Sequence, residues 1–130
     1  MAHFSSEINR FIELLESYEH LLHAETQAIA AKEIDLIESL NAKKDHCIAK
    51  LKIFNDRFSS NPRNEPVVDN LVEKIFDLQK RNFSAFSLLV KDQKTKRNKK
   101  GNSTDFSYYE QKIAQTYQNK HPSRLKNLWE

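Results

Sequence analysis

Imidazoles are the first groups to test for chemistry, because they bind metals and move protons near neutral pH. His20 and His23 stand three residues apart, so a helix would put both on one face. His46 would join them if the chain doubled back, and three imidazoles at one point suit Zn²⁺. The same spacing suits histidines that flank an apolar seam and cover it. That reading needs no metal, so no metal site and no cofactor are assigned. Glu25 and Lys44 are more specific. Each is a lone charge inside a line of apolar residues, where Leu or Ile is expected. Side by side, such a pair fixes one alignment of two helices rather than catalysing anything, since desolvation offsets most of its attraction.

Other catalytic patterns are missing. With one glycine the chain can build neither a phosphate-cradling loop nor a nucleophile elbow, and one cysteine excludes zinc-finger spacing. We therefore expect no enzyme activity. The single Cys47 also rules out an internal disulfide, which fits a reducing compartment. No apolar run approaches a membrane span and the start has no signal-peptide pattern, so the expected location is cytoplasmic.

The elements that must position Glu25 and Lys44 are helices. One Gly and three Pro in 130 residues leave few tight turns for a sheet. A first seam reads Phe4, Ile8, Phe11, Leu15, Tyr18, Leu22, Glu25, Ile29, alternating steps of three and four. A second reads Ile37, Leu40, Lys44, Cys47, Leu51, Phe54, Phe58. The two do not join in phase, and Asp35 followed by Glu38 resembles a capping-box start. Folding the chain back between Ile34 and Asp35 sets Phe11 beside Phe58, Leu22 beside Cys47 and Glu25 beside Lys44. Reflected apolar seams always match in part. The lone acid meeting the lone base is the informative coincidence.

A loop, SSNPRNEP, ends the hairpin, and Pro66 suits the first turn of a third helix. Its stripe is Val68, Leu71, Ile75, Leu78, Asn82, Ala85, Phe86 and Leu89, with Val72, Phe76, Phe83 and Val90 beside it. That face is wider than a two-helix contact needs, so part of it should meet another element or a partner. Lys91 to Lys100 holds six basic residues and one acidic, read as a solvated linker rather than a nucleic-acid or membrane contact. A short helix from Asp105, with the stripe Phe106, Tyr109, Ile113 and Tyr117, precedes a mobile tail carrying Leu125, Leu128 and Trp129. The expected architecture is all-α: an antiparallel helical hairpin plus a third long helix, forming a bundle over residues 1–93. Its helices span about 5–32, 35–58 and 66–93. A basic linker (94–104) and a C-terminal segment (105–130) follow.

Charge is unevenly distributed. Residues 1–40 carry eight acidic and two basic side chains, while the whole chain is net +3. An acidic first helix beside basic later ones is favourable within one bundle.

The stretch FIELLESYEHLLHAETQAIAAKEIDLIESLNAKKDHCIAKL resembles FlgN-type flagellar export chaperones. The family pattern has two leucines, a Glu, Ala and an apolar residue, a short acidic link with Asp, an L-x-x-L pair, a Lys and a final Leu. Here these are Leu21, Leu22, Glu25, Ala28, Ile29, Asp35, Ile37, Leu40, Lys44 and Leu51. The likeness covers about residues 8–58, is fair over the third helix and is weak beyond Gln93. A small or Gly residue often precedes the link's Asp in the family, where this chain has Glu33 and Ile34. The resemblance implies a small helical chaperone that binds hook-associated client proteins and contacts export apparatus components. It implies client binding by the C-terminal region, which our stripe reading assigns to Phe106, Tyr109, Ile113 and Tyr117. Phe86, Leu89 and Val90 would form the adjoining groove. Such a protein would be a monomer or weak homo-oligomer, without nucleic-acid partners or membrane insertion. A helical scaffold acting by self-association is the alternative.

Overall fold

The computed structural model describes residues 6–100 and Leu128. Among them are three long helices and no strand: α1 (Ser6–Ala30), α2 (Ile34–Asn55) and α3 (Pro66–Lys100), with a 3₁₀ turn at Pro62–Asn64. The short helix expected from Asp105 lies outside the described residues.

The hairpin turns earlier than expected. Helix α1 stops at Ala30, and Lys32 takes the left-handed conformation, φ 58°. Its N–H donates to the Ile29 carbonyl (3.1 Å), and the Glu33 N–H reaches the Ala28 carbonyl (2.9 Å). This is a Schellman ending, usually built on glycine. Glu33, not Asp35, is the N-cap of α2, and its side chain makes no cap hydrogen bond. Asp35 lies in the first turn, where a carboxylate favours the helix dipole without capping it.

Helix α2 ends at Asn55, short of Phe58, yet the Phe58 ring still packs edge-on to Phe11 with centroids 5.5 Å apart. In the next connection, Asn61 accepts the Arg63 N–H (2.9 Å) and so holds the 3₁₀ turn. Arg63 then donates to Asp69 (2.8 Å) and to Glu73, and its guanidinium lies over the Phe76 ring. That clamp sets the direction in which α3 departs.

Helix α3 runs parallel to α1. Tyr18 bonds Gln79, Thr26 bonds Asn82 and Lys32 lies 3.9 Å from Asp92, all at nearly constant offset. It continues to Lys100, so residues 94–100, expected as linker, are helical. Lys, Arg and Gln are good helix formers, and charge alone does not end a helix. Among the residues of α3 whose side chains are described, 66–92, the buried ones are Val68, Val72, Ile75, Leu78, Gln79, Asn82, Phe86 and Leu89. The seam therefore passes through Gln79, and Ala85 is exposed.

Two apolar clusters result. The lower one joins Phe11, Leu15, Tyr18 and Leu22 to Cys47, Ile48 and Leu51 and to Val68, Val72, Ile75 and Leu78. The upper one, near the hairpin turn, joins Ala28 and Ile29 to Ile37 and Leu40 and to Phe86 and Leu89. All three helices contribute to both, so the width of the α3 face is partly used within the bundle.

Candidate functional site: a buried polar layer

Between the clusters lies a polar layer contributed by all three helices. Glu25 and Lys44 are fully buried, and the Lys44 ammonium donates to Glu25 Oε2 at 2.7 Å. The second oxygen, Oε1, accepts from Asn82 Nδ2 at 2.8 Å. The same Asn82 nitrogen also donates to the Leu22 carbonyl (2.9 Å), and Asn82 Oδ1 accepts from the Thr26 hydroxyl (2.7 Å). One turn below, the buried Tyr18 hydroxyl donates to Gln79 Oε1 at 2.9 Å. Both oxygens of the Glu25 carboxylate thus have partners, which is the condition for a charged pair to survive burial.

Burial pushes the Lys44 pKa below its ordinary value of 10.5, and the attraction of Glu25 opposes that shift. Desolvation disfavours the cation more than Glu25, with a smaller contribution from Asp45, restores it. Nearby, burial lifts the Cys47 thiol to about 11, while Lys50 pulls the other way. Its Sγ contacts the Leu14 carbonyl at 3.4 Å. A thiol so placed is a core side chain and a poor nucleophile at neutral pH.

The sequence locates Glu25 and Lys44, and the structure brings them together. Asn82 is in the expected stripe, but its part in the layer went unread. Gln79 was missed altogether. Its signal is the alternating step of four and three that joins Val68, Val72, Ile75, Gln79, Asn82, Phe86 and Leu89. Preferring apolar residues at most steps draws the stripe through Leu71, Leu78 and Ala85 instead.

The expected groove residues lie elsewhere than on an open surface. Phe86 and Leu89 are in the upper cluster, and Val90 is half-buried against it. Phe106, Tyr109, Ile113 and Tyr117 lie outside the described residues. His20, His23 and His46 are exposed, and His23 lies 3.8 Å from Glu19. Among the described residues no group of three His, Cys, Asp or Glu side chains could hold a metal ion. No described helix is long and apolar enough to cross a membrane. A cleft of about 310 Å³ opens at the lower end beside Glu7, Arg57, Phe58 and Asn61.

Compared with protein-family models, curated proteins and solved structures, the chain matches none.

Proposed function

We propose that this chain is a cytosolic export chaperone of the FlgN type. It binds the C-terminal amphipathic helices of flagellar hook-associated proteins, prevents their premature association and delivers them to the type III export apparatus. The observation that supports this reading most is the pairing of Glu25 with Lys44 at 2.7 Å. Both residues belong to the pattern quoted for that family, and they meet across a hairpin.

The physical logic is that of a helix docked in a groove. A client helix with one apolar face self-associates when left free, and a bundle edge lined by apolar side chains gives it a temporary place. Phe86 and Leu89 are committed to the core, so the client stripe is carried by Phe106, Tyr109, Ile113 and Tyr117 beside Val90. Ordering the client's helix on binding costs conformational entropy, which keeps affinity moderate and release feasible.

Calorimetry of the full chain against the terminal helical segment of hook-associated proteins tests this. Binding is expected, and Ile113→Ser with Tyr117→Ser in the full chain should weaken it at least tenfold. No binding, together with a concentration-independent homo-oligomer in sedimentation, would favour the self-associating scaffold instead.

A further inference from the structure

The seam of α2 runs Ile37, Asn41, Lys44, Ile48, Leu51 in steps of four and three, and its next position is Asn55. Asn55 is the last residue of α2, at the end away from the hairpin turn, and it is half-buried. An apolar side chain there would simply extend the lower cluster. Instead, Asn55 Nδ2 donates to the Leu128 carbonyl at 2.9 Å. The Leu128 side chain packs, half-buried, against the lower cluster.

These two contacts have the form of peptide recognition. A side-chain amide holds a main-chain carbonyl, and an apolar surface takes the side chain of the same residue. Phe54 and Phe58 flank Asn55 in sequence and are half-buried against the same cluster. The carbonyl is common to every residue, so the apolar surface supplies the selection, and its resident shows that leucine fits.

The other arm of the amide is unused. Asn55 Oδ1 is buried and accepts no hydrogen bond among the described residues. A buried acceptor without a donor is costly. An extended peptide carries both N–H and C=O groups, so it can serve both arms of one amide. Leu128 serves one of them. Its advantage is its tether, which gives a local concentration on the order of millimolar. A peptide from outside must overcome that concentration, and use of the second arm is the means.

We propose that Asn55, with the apolar surface at Phe54 and Phe58, is a binding site for an extended, leucine-bearing peptide segment of a partner protein. Leu128 is its resident competitor. The partner's leucine takes the place of Leu128, its carbonyl accepts from Asn55 Nδ2, and a main-chain N–H donates to Asn55 Oδ1. Such a site serves a scaffold as well as a chaperone, so it does not rest on the export reading.

The probe is the peptide SRLKNLWE, residues 123–130 of this chain, added unlabelled to the isotope-labelled full chain. In the Leu128→Ala chain the peptide should shift the Asn55 side-chain amide signal saturably. The parent should need about tenfold more peptide for the same shift, because its own leucine competes. A peptide carrying Leu128→Asp should not bind. Asn55→Leu keeps the seam apolar and, combined with Leu128→Ala, should weaken binding about tenfold, read at the Phe54 and Phe58 amides. The parent supplies a measurement that needs no variant to fold: its own Leu128 amide should move as the peptide displaces it. Equal binding to the parent and to Leu128→Ala would overturn the proposal. So would binding that survives Asn55→Leu, or a Leu128 signal that stays fixed at saturating peptide. A parent dimer in sedimentation that Leu128→Ala dissolves would make the occupant a second copy, and the assignment to a partner protein would fail.

Discussion

The two apolar clusters and the layer between them do different work. Among the described residues, eleven buried side chains below and six above supply the burial that holds the helices together. A fully buried Leu, Ile or Phe contributes about 1.5–3 kcal/mol. Apolar seams of period 3.5 can, however, slide by a heptad and still match. In the polar layer a slide would leave Glu25, Lys44 and Asn82 buried without one another. The layer adds little net stability and a large penalty against every other alignment. Affinity between the helices comes from the dry ends, and uniqueness comes from the middle.

The contrast breaks most sharply at Lys44. Lys44→Glu places two carboxylates in a buried site and should cost more than about 3–5 kcal/mol in urea unfolding. Adding Glu25→Lys should recover much of that loss, whereas additive losses in the double-mutant cycle would dismiss the coupling. Replacing both groups by Leu and Met should leave the midpoint unchanged or raised, but multiply the amide signals if alternative alignments become populated.

In the lower cluster, Leu22→Ala should cost about 2–5 kcal/mol, and in the upper one Ile37→Val about 0.5–1.5 kcal/mol. Neither should disturb the alignment, so their amide spectra should stay single.

The layer should also be sensitive to pH in a direction the clusters are not. The folded-state pKa of Lys44 is held below 10.5. Between that lowered value and 10.5 the unfolded chain binds more protons than the folded one. The contribution of this site to stability is therefore lowest below the window and rises with pH through it. Urea midpoints of the parent, minus those of the Leu/Met double variant, should climb toward pH 10.5. A flat difference would mean that burial does not disfavour the cation.

The smallest effect is expected outside the core. Lys32 holds a left-handed conformation at φ 58°, which costs a side-chain-bearing residue about 1 kcal/mol. Lys32→Gly should raise stability by up to that amount in thermal melts, and leave both clusters and the layer unaltered.

What was legible in the sequence follows from the same contrast. A charge in an apolar seam stands out, so Glu25 and Lys44 marked both the hairpin and its alignment. Asn82 stood in the expected stripe, but an uncharged amide does not announce which partners it meets, and Gln79 can sit at the edge of any stripe, so it did not announce that it faces the core. The turn was misplaced because its key residue is a lysine where glycine is usual, and because Asp35 and Glu38 imitate a cap. The end of α3 was set too early because a run of lysines reads as solvated chain, although their helix propensity is high. The stripe Phe106, Tyr109, Ile113 and Tyr117, read from its spacing alone, lies outside the described residues.

The unequal connections have a kinetic consequence. Three residues link α1 to α2, whereas ten separate α2 from α3. Closing the first loop loses little entropy, and Glu25 meets Lys44 at a separation of only 19 residues. Contacts of α1 with α3 span about three times that distance, as Asn82 to Glu25 does at 57. The hairpin should thus assemble early, with α3 arriving afterwards. Substitutions at Lys44 would then slow folding, and those at Asn82 would hasten unfolding.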